Sequence, residues 1–195
     1  MIDTLASLHH SVFKRLEAEL DSWFLGLFAR FVFAAVLLVY FLSSAMTKLG
    51  DGLLGVIQLS AGAYVQIVPS IMEASGYDPS AIAFFPWGLI VHLGTYTEII
   101  LPVLIVVGLL TRLAALGMIG FVAVQTYVDI NFHGADATTI GTWFDRTSDS
   151  VIADQRLLWM MPLVYLVVKG AGAISIDHLL ARHYVDDIEP IAEVP

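Results

Sequence analysis

The chain contains no cysteine. This absence excludes disulfide bonds, thiolate metal sites, cysteine-ligated iron–sulfur clusters and a CxxC redox pair. Electron chemistry in this protein would therefore need a bound cofactor or a partner subunit. Charge is also scarce and mostly of one sign. Only 14% of the 195 residues are charged, and the net charge of −9 argues against nucleic acid as a partner.

Apolar residues are abundant instead. They make up 58% of the chain and give it a mean hydropathy of +0.81, whereas soluble domains are about 45–50% apolar. Four apolar runs approach the roughly 17–25 residues that a helix needs to cross a bilayer. The composition predicts an all-α fold, a polytopic four-helix bundle surrounded by lipid. The predicted spans are residues 23–45, 86–110, 113–130 and 157–174.

Residues 52–72 are long enough for a fifth span, but Gln58, Gln66 and Pro69 interrupt the run and weaken it as a helix. The distribution of positive charge distinguishes four spans from five, because Lys and Arg are concentrated in cytoplasmic loops. Four spans with a cytoplasmic N-terminus place six Lys and Arg residues inside and three outside. A fifth span would move Arg112, Lys169 and Arg182 outside and remove most of that bias, so we predict an additional interfacial or re-entrant helical segment.

This topology divides the chain into three parts. Residues 1–22 form a cytoplasmic N-terminal segment, which opens with polar residues and lacks the pattern of a cleavable signal. Residues 23–180 form the membrane domain, with outer loops at 48–85 and 131–155. Residues 181–195 form an acidic cytoplasmic tail, expected to be mobile. The second loop is too long for a plain turn, and we expect Ile140, Trp143 and Phe144 to order it as a small cap.

Polar residues from separate segments are predicted to meet near the outer face. Glu98 lies 14 residues before Arg112, which is about 21 Å of helix, and Gln125 returns to a similar depth. The full set is Lys48, His92, Glu98, Gln125, Asp129, His133 and Arg156. Ionisable residues inside a membrane are functional candidates. The structural alternative for Glu98 is an ion pair with Lys48 that fixes the helices.

Imidazole and carboxylate groups suit first-row metals, but these residues lack tight ligand spacing, and no metal site is predicted. At the cytoplasmic boundary, Arg30 and Asp177 are predicted to form a structural ion pair. Three glycines in the second and third spans, at positions 108, 117 and 120, are typical of close helix contacts.

Several of these features together resemble the DoxX family of small bacterial membrane proteins. The resemblance runs from about Arg30 to Leu180. It comprises Arg30 early in the first span with Lys48 near its end, "TEIILPVLIVVGLLTRLAALGM" from Thr97, His133 after the third span, and the terminal "GAGAISIDHLL" from Gly170. Two features differ: Ile99 and Ile100 stand where family members often carry glycines, and the loop after His133 is long.

The resemblance implies a four-helix fold in the bacterial inner membrane. The family is distantly similar to the DoxD-type small subunit of thiosulfate:quinone oxidoreductase. A redox-linked subunit that handles a quinone is therefore the first functional hypothesis, without a covalent cofactor. Glu98 or His92 would then transfer protons. The substrate would lie against Lys48, Gln125, Asp129, His133 and Arg156.

Two other functions remain open at this point. The chain could be a noncatalytic anchor or assembly subunit for a partner enzyme, with the outer loops as the docking surface. It could also be a small transporter, in which ionisable groups mark the path. A redox-protein partner or a homo-oligomer is compatible with the first two hypotheses.

The predicted orientation can be tested with single cysteines, because the native chain has none. In intact cells, an impermeant thiol reagent should label Ser80→Cys and Thr147→Cys and leave Ser7→Cys and Ala192→Cys unlabelled, since positive charge favours the cytoplasmic side. Labelling of Ala192→Cys together with protection of Ser80→Cys would instead establish five spans.

Overall fold

A computed structural model of the chain describes residues 2–188, and this part of the chain is helical without strands. Four of its helices, at Phe24–Met46, Phe84–Val107, Thr111–Asn131 and Val151–Lys169, are long and apolar enough to cross a membrane, which confirms the predicted four-helix bundle of a multi-pass membrane protein. In chain order the helices are α1 Ile2–Leu20, α2 Phe24–Met46, α3 Ala61–Ile67, α4 Pro69–Ala74, α5 Phe84–Val107, α6 Thr111–Asn131, α7 Ala137–Ile140, α8 Val151–Lys169 and α9 Ile176–Ile188.

The core lies between the four spanning helices. Phe33, Leu37 and Phe41 of α2 are fully buried and pack with Met118 of α6 and Leu163 of α8. Since these helices are apolar on all sides, hydrophobicity alone does not tell which face is inside. Aromatic packing marks the inner face, because Phe41 contacts Phe121 and Trp159 with ring centroids 5.9 and 6.3 Å apart.

The two ends of the bundle are built differently. We call the end formed by residues 47–83 and 132–150 the cap end, and the end containing the Gly108–Leu110 turn between α5 and α6 the turn end. As predicted, residues 52–72 at the cap end do not form a fifth spanning helix. They form a 3-10 turn, Leu53–Val56, followed by the short helices α3 and α4. Val68, with φ −130° and ψ 56°, breaks the helical path just before Pro69.

The fourth span lies several residues earlier than predicted, at Val151–Lys169 instead of 157–174. Its start is fixed by a reciprocal cap: Ser150 Oγ accepts from the Asp154 amide at 3.1 Å, and Asp154 Oδ2 accepts from the Ser150 amide at 3.0 Å. Its end is fixed by Gly170, whose φ of +83° favours glycine. The prediction followed hydropathy and overlooked both signals.

The loop before α8 is ordered, but not by all the residues predicted to order it. The Asp136 carboxylate caps α7 by accepting from the Thr139 amide at 2.7 Å, and this hydrogen bond lowers the pKa of Asp136. Trp143 Nε1 donates to the Ala153 carbonyl at 3.0 Å. Phe144, however, is fully exposed, so the expectation that it orders the loop is wrong.

The first part of the predicted tail is helical, because α9 extends from Ile176 to Ile188. The rest of that tail, residues 189–195, lies outside the described residues.

Arg30 holds the turn end from inside the bundle. It is 7% exposed, and its guanidinium donates to the carbonyls of Ile105 at 3.1 Å, Val106 at 2.6 Å and Ile174 at 2.5 Å. Two of these carbonyls belong to the last turn of α5, where a helix leaves acceptors unsatisfied and carries partial negative charge. Arg30 therefore neutralises a helix C-terminus.

Asp177 supplies the opposite charge to the next helix. Its carboxylate accepts from the amides of Leu110 at 2.6 Å and Thr111 at 2.9 Å, which are at the start of α6. The predicted direct ion pair between Arg30 and Asp177 is not formed. Each group instead meets a helix end of the opposite partial charge.

Gly108 lies between Arg30 and Asp177. It adopts φ +74°, and a Cβ there would lie 2.9 Å from Arg30 Cζ and 2.7 Å from Ser175 Cβ. The predicted close contact at this glycine is therefore present, and it lets the two charged groups approach the turn.

Candidate functional site

A cleft of about 620 Å³ opens between α5 and α6 at the cap end. Five of the seven residues that the sequence predicts at this depth line it, namely Lys48, Glu98, Gln125, Asp129 and His133. Ser44, Gln66 and Thr97 add further polar groups. Its volume is in the range of cavities that hold small molecules, roughly 300–1,000 Å³.

The deepest polar group of the cleft is an ion pair between α5 and the chain just after α2. Lys48 Nζ lies 2.8 Å from Glu98 Oε2 and 3.1 Å from Oε1, and it also donates to Ser44 Oγ at 2.7 Å. Lys48 and Glu98 are only 2% and 5% exposed. Isolated charges at such burial are strongly unfavourable, so each residue needs the other. The ion pair with Lys48, which was the structural alternative for Glu98, is therefore present.

The outer part of the cleft is apolar. Ile90, Leu93 and Val124 line it and are 41%, 57% and 63% exposed. These residues belong to spanning helices, so their exposed surfaces face the lipid. The cleft thus has a charged, hydrogen-bonding inner end and a lipid-facing apolar mouth.

Three glycines of α5 and α6 line the cleft, and they differ in what surrounds them. A Cβ on Gly94 would lie 3.0 Å from Ile67 Cδ1, and one on Gly117 would lie 3.0 Å from Leu101 Cδ1, so both are close contacts. Gly120 differs, because a Cβ there would meet no atom within 4 Å. The interpretation of Gly120 as a close helix contact is wrong. This glycine leaves open space in the cleft wall.

Gln125 presents an unpaired polar atom at this site. Its Nε2 donates to Tyr40 Oη at 3.0 Å, while the buried Oε1 has no hydrogen-bond partner. A buried acceptor without a partner is unfavourable. This atom is shielded from solvent, so a rotation of the Gln125 side chain is needed to bring it to a ligand in the cleft.

Asp129 connects the cleft to Arg156 on the other side of α6. Arg156, which is 6% exposed, donates to Asp129 Oδ2 at 2.5 Å and to Thr126 Oγ1 at 2.6 Å. Arg156 itself lines a separate groove with Trp143 and Ile152, and not the cleft. The structure therefore places this predicted binding residue behind Asp129.

His92 and His133 contact the backbone of the cap end. His92 Nε2 lies 2.9 Å from the Ile57 carbonyl, and Nδ1 lies 2.7 Å from the Gly88 carbonyl. Both ring nitrogens thus face backbone carbonyl oxygens, and His92 does not line the cleft. His133, which does line it, holds the Gln66 carbonyl at 3.0 Å. These contacts tie residues 57–66 to the ends of α5 and α6.

Among residues 2–188, no three His, Asp or Glu side chains converge as metal ligands. The residues that the sequence reasoning missed, Ser44, Gln66 and Thr97, carry no charge and gave no depth signal. Ser44 lies one helical turn before Lys48, and that spacing could have identified it.

Comparisons of the chain with protein-family models, curated proteins and solved structures found no match. The function of the protein is therefore inferred from the geometry of the cleft.

The burial of the ion pair predicts an asymmetric response to mutation. Lys48→Met leaves a buried carboxylate without its cation, and loss of one partner of such a pair costs about 3–5 kcal/mol. The double variant Lys48→Met/Glu98→Gln should recover most of that loss. Unfolding of the purified protein in mixed micelles measures these free energies.

The exposed pair Lys169–Asp21, at 3.2 Å with side chains 53% and 46% exposed, is the matched control. Lys169→Met should cost only about 0–1 kcal/mol. A Lys48→Met variant as stable as Lys169→Met would contradict the burial of this charge.

Proposed function

We propose that the cleft binds a lipid-soluble molecule with a polar head, and that a quinone is the ligand class it fits best. The carrying observation is the buried Lys48–Glu98 pair at the inner end of a cleft whose mouth is apolar and faces lipid. A quinone has the matching asymmetry, with two carbonyl oxygens on a flat ring and an apolar tail.

In this proposal the quinone head enters between α5 and α6, and its tail stays among lipids. Lys48 and Gln125 carry the N–H donors nearest the inner end, and a carbonyl oxygen accepts from them. Gln125 Oε1, which has no hydrogen-bond partner in the folded chain, accepts from a hydroxyl of the reduced quinol after its side chain rotates toward the cleft. Ile90, Leu93 and Val124 contact the tail at the mouth.

The pair Lys48–Glu98 also suits the proton chemistry. Oxidation of a quinol releases two electrons and two protons. The Glu98 carboxylate takes one hydroxyl proton, and Asp129, nearer the surface with a 29% exposed side chain, takes the second. Lys48 stabilises the developing oxyanion. The two electrons pass to a redox partner protein, since the chain has no cysteine for a cluster or a disulfide.

The resemblance to the DoxX family supports this proposal, since the family is distantly similar to the DoxD-type small subunit of thiosulfate:quinone oxidoreductase. We place the protein in a bacterial inner membrane with the turn end and both termini in the cytoplasm. The distribution of Lys and Arg supports that orientation. The cleft then opens in the outer leaflet.

A specific observation favours a second candidate, a membrane anchor for a partner protein. Phe144 is fully exposed in the loop at the cap end and adopts φ +65°, a strained value for a bulky residue. Trp143 beside it is 58% exposed. Exposed aromatic side chains of this kind anchor protein interfaces. In this alternative the cap end is the docking surface.

Quinone binding is tested by filling the cleft. Gly120→Leu adds a side chain in open space, and it should raise helix stability by up to about 1 kcal/mol. A short-chain quinone should raise the melting temperature of the wild-type protein, because a ligand stabilises the folded state that binds it. Gly120→Leu should abolish this rise.

Leu116→Phe is the matched control, because Leu116 lies on the same helix, is 55% exposed and does not line the cleft. It should retain the quinone-dependent rise, while the double variant Lys48→Met/Glu98→Gln, which leaves no unpaired buried charge, should show a smaller one. If Gly120→Leu responds to quinone like the wild type, the cleft is not the quinone site. A stoichiometric protein that co-purifies without quinone would favour the anchor.

A further inference from the structure

Helix α1 carries an uncovered apolar face. Its large apolar side chains recur at helical spacing and lie within an arc of about 140°, at 100° per residue. They are Leu5 (61% exposed), Leu8 (60%), Val12 (45%), Phe13 (56%) and Leu16 (47%). Ser7, Ser11 and Lys14 lie on the opposite face. At these exposures, no helix of the described chain covers the apolar face.

The position of α1 is fixed where it meets the bundle. Between α1 and the spanning helix α2 there are only three residues, and Trp23, with φ −131° and ψ −39°, interrupts the helical path. Lys169 pairs with Asp21 at 3.2 Å, and the Ala173 amide donates to the Ser22 carbonyl at 2.9 Å. The bend between α1 and α2 is thus held against the end of α8.

Contact between α2 and the chain after α8 strengthens this attachment. A Cβ on Gly26 would lie 2.7 Å from backbone atoms of Ala171 and Gly172, so the two segments touch through their main chains. The C-terminal end of α1 is therefore held at the boundary of the spanning region. Trp23 at the bend is 40% exposed, and tryptophan favours the membrane–water interface.

We infer that α1 lies on the membrane surface, with the Leu8–Val12 face embedded among lipids at the turn end. The observations select lipid over a protein partner because α1 ends at the hydrocarbon boundary, next to an interfacial tryptophan. Three acidic and two basic side chains in α1 give it little net charge. Apolar area, and not attraction to anionic lipid, therefore holds it to the surface.

Nitroxide spin labels on single cysteines test this inference in the full-length protein. The protein is reconstituted in vesicles of zwitterionic phosphatidylcholine, and collisions are measured with oxygen, which concentrates in lipid, and with a water-soluble nickel complex. Labels at Leu8→Cys and Val12→Cys should favour oxygen several-fold over nickel. Labels at Ser7→Cys and Ser11→Cys, on the polar face of the same helix, should show the reverse.

Two results would overturn the inference. Shielding of positions 8 and 12 from both reagents would mean that protein, such as a second copy of the chain, covers the face. Equal access of nickel to all four positions would mean that α1 extends into water. A label at Leu113→Cys, 66% exposed on the spanning helix α6, reports oxygen access in lipid and confirms that the variants are inserted.

Discussion

The buried pair between Lys48 and Glu98 constrains the cap end of the bundle. Removing two charges from water costs several kcal/mol for each ion, and here the cost is offset by two short contacts between them and a further bond to Ser44. The pair joins α5 to the chain at the end of α2. The pair does not involve α6, and the cleft opens between α5 and α6.

The buried charges at the turn end are compensated in another way. Arg30 and Asp177 do not pair with each other, but with the carbonyl end of α5 and the amide end of α6. Gly108 allows all of these groups to meet at one tight turn. Charge–dipole contacts therefore close the molecule at one end, whereas at the other end a cleft lies beside an ion pair.

Hydropathy and charge predicted the four spans, the non-spanning segment at 52–72 and most of the cleft residues, because exposing apolar length to water and burying isolated charge are costly in any arrangement. Details that depend on neighbours were not predictable. Arg30 and Asp177 bind the ends of α5 and α6, and the composition of the chain does not show where those helix ends meet. Gly120 resembles a packing glycine until its surroundings are known. The start of α8 depends on a single cap between Ser150 and Asp154.

Photolabelling with an azidoquinone in native membranes locates the ligand directly. The binding of a quinone between α5 and α6 predicts adducts within residues 90–98 and 117–129, which lose intensity when unlabelled quinone competes. Adducts confined to the groove around Arg156 and Trp143, or adducts in the cleft that competition leaves unchanged, would contradict it.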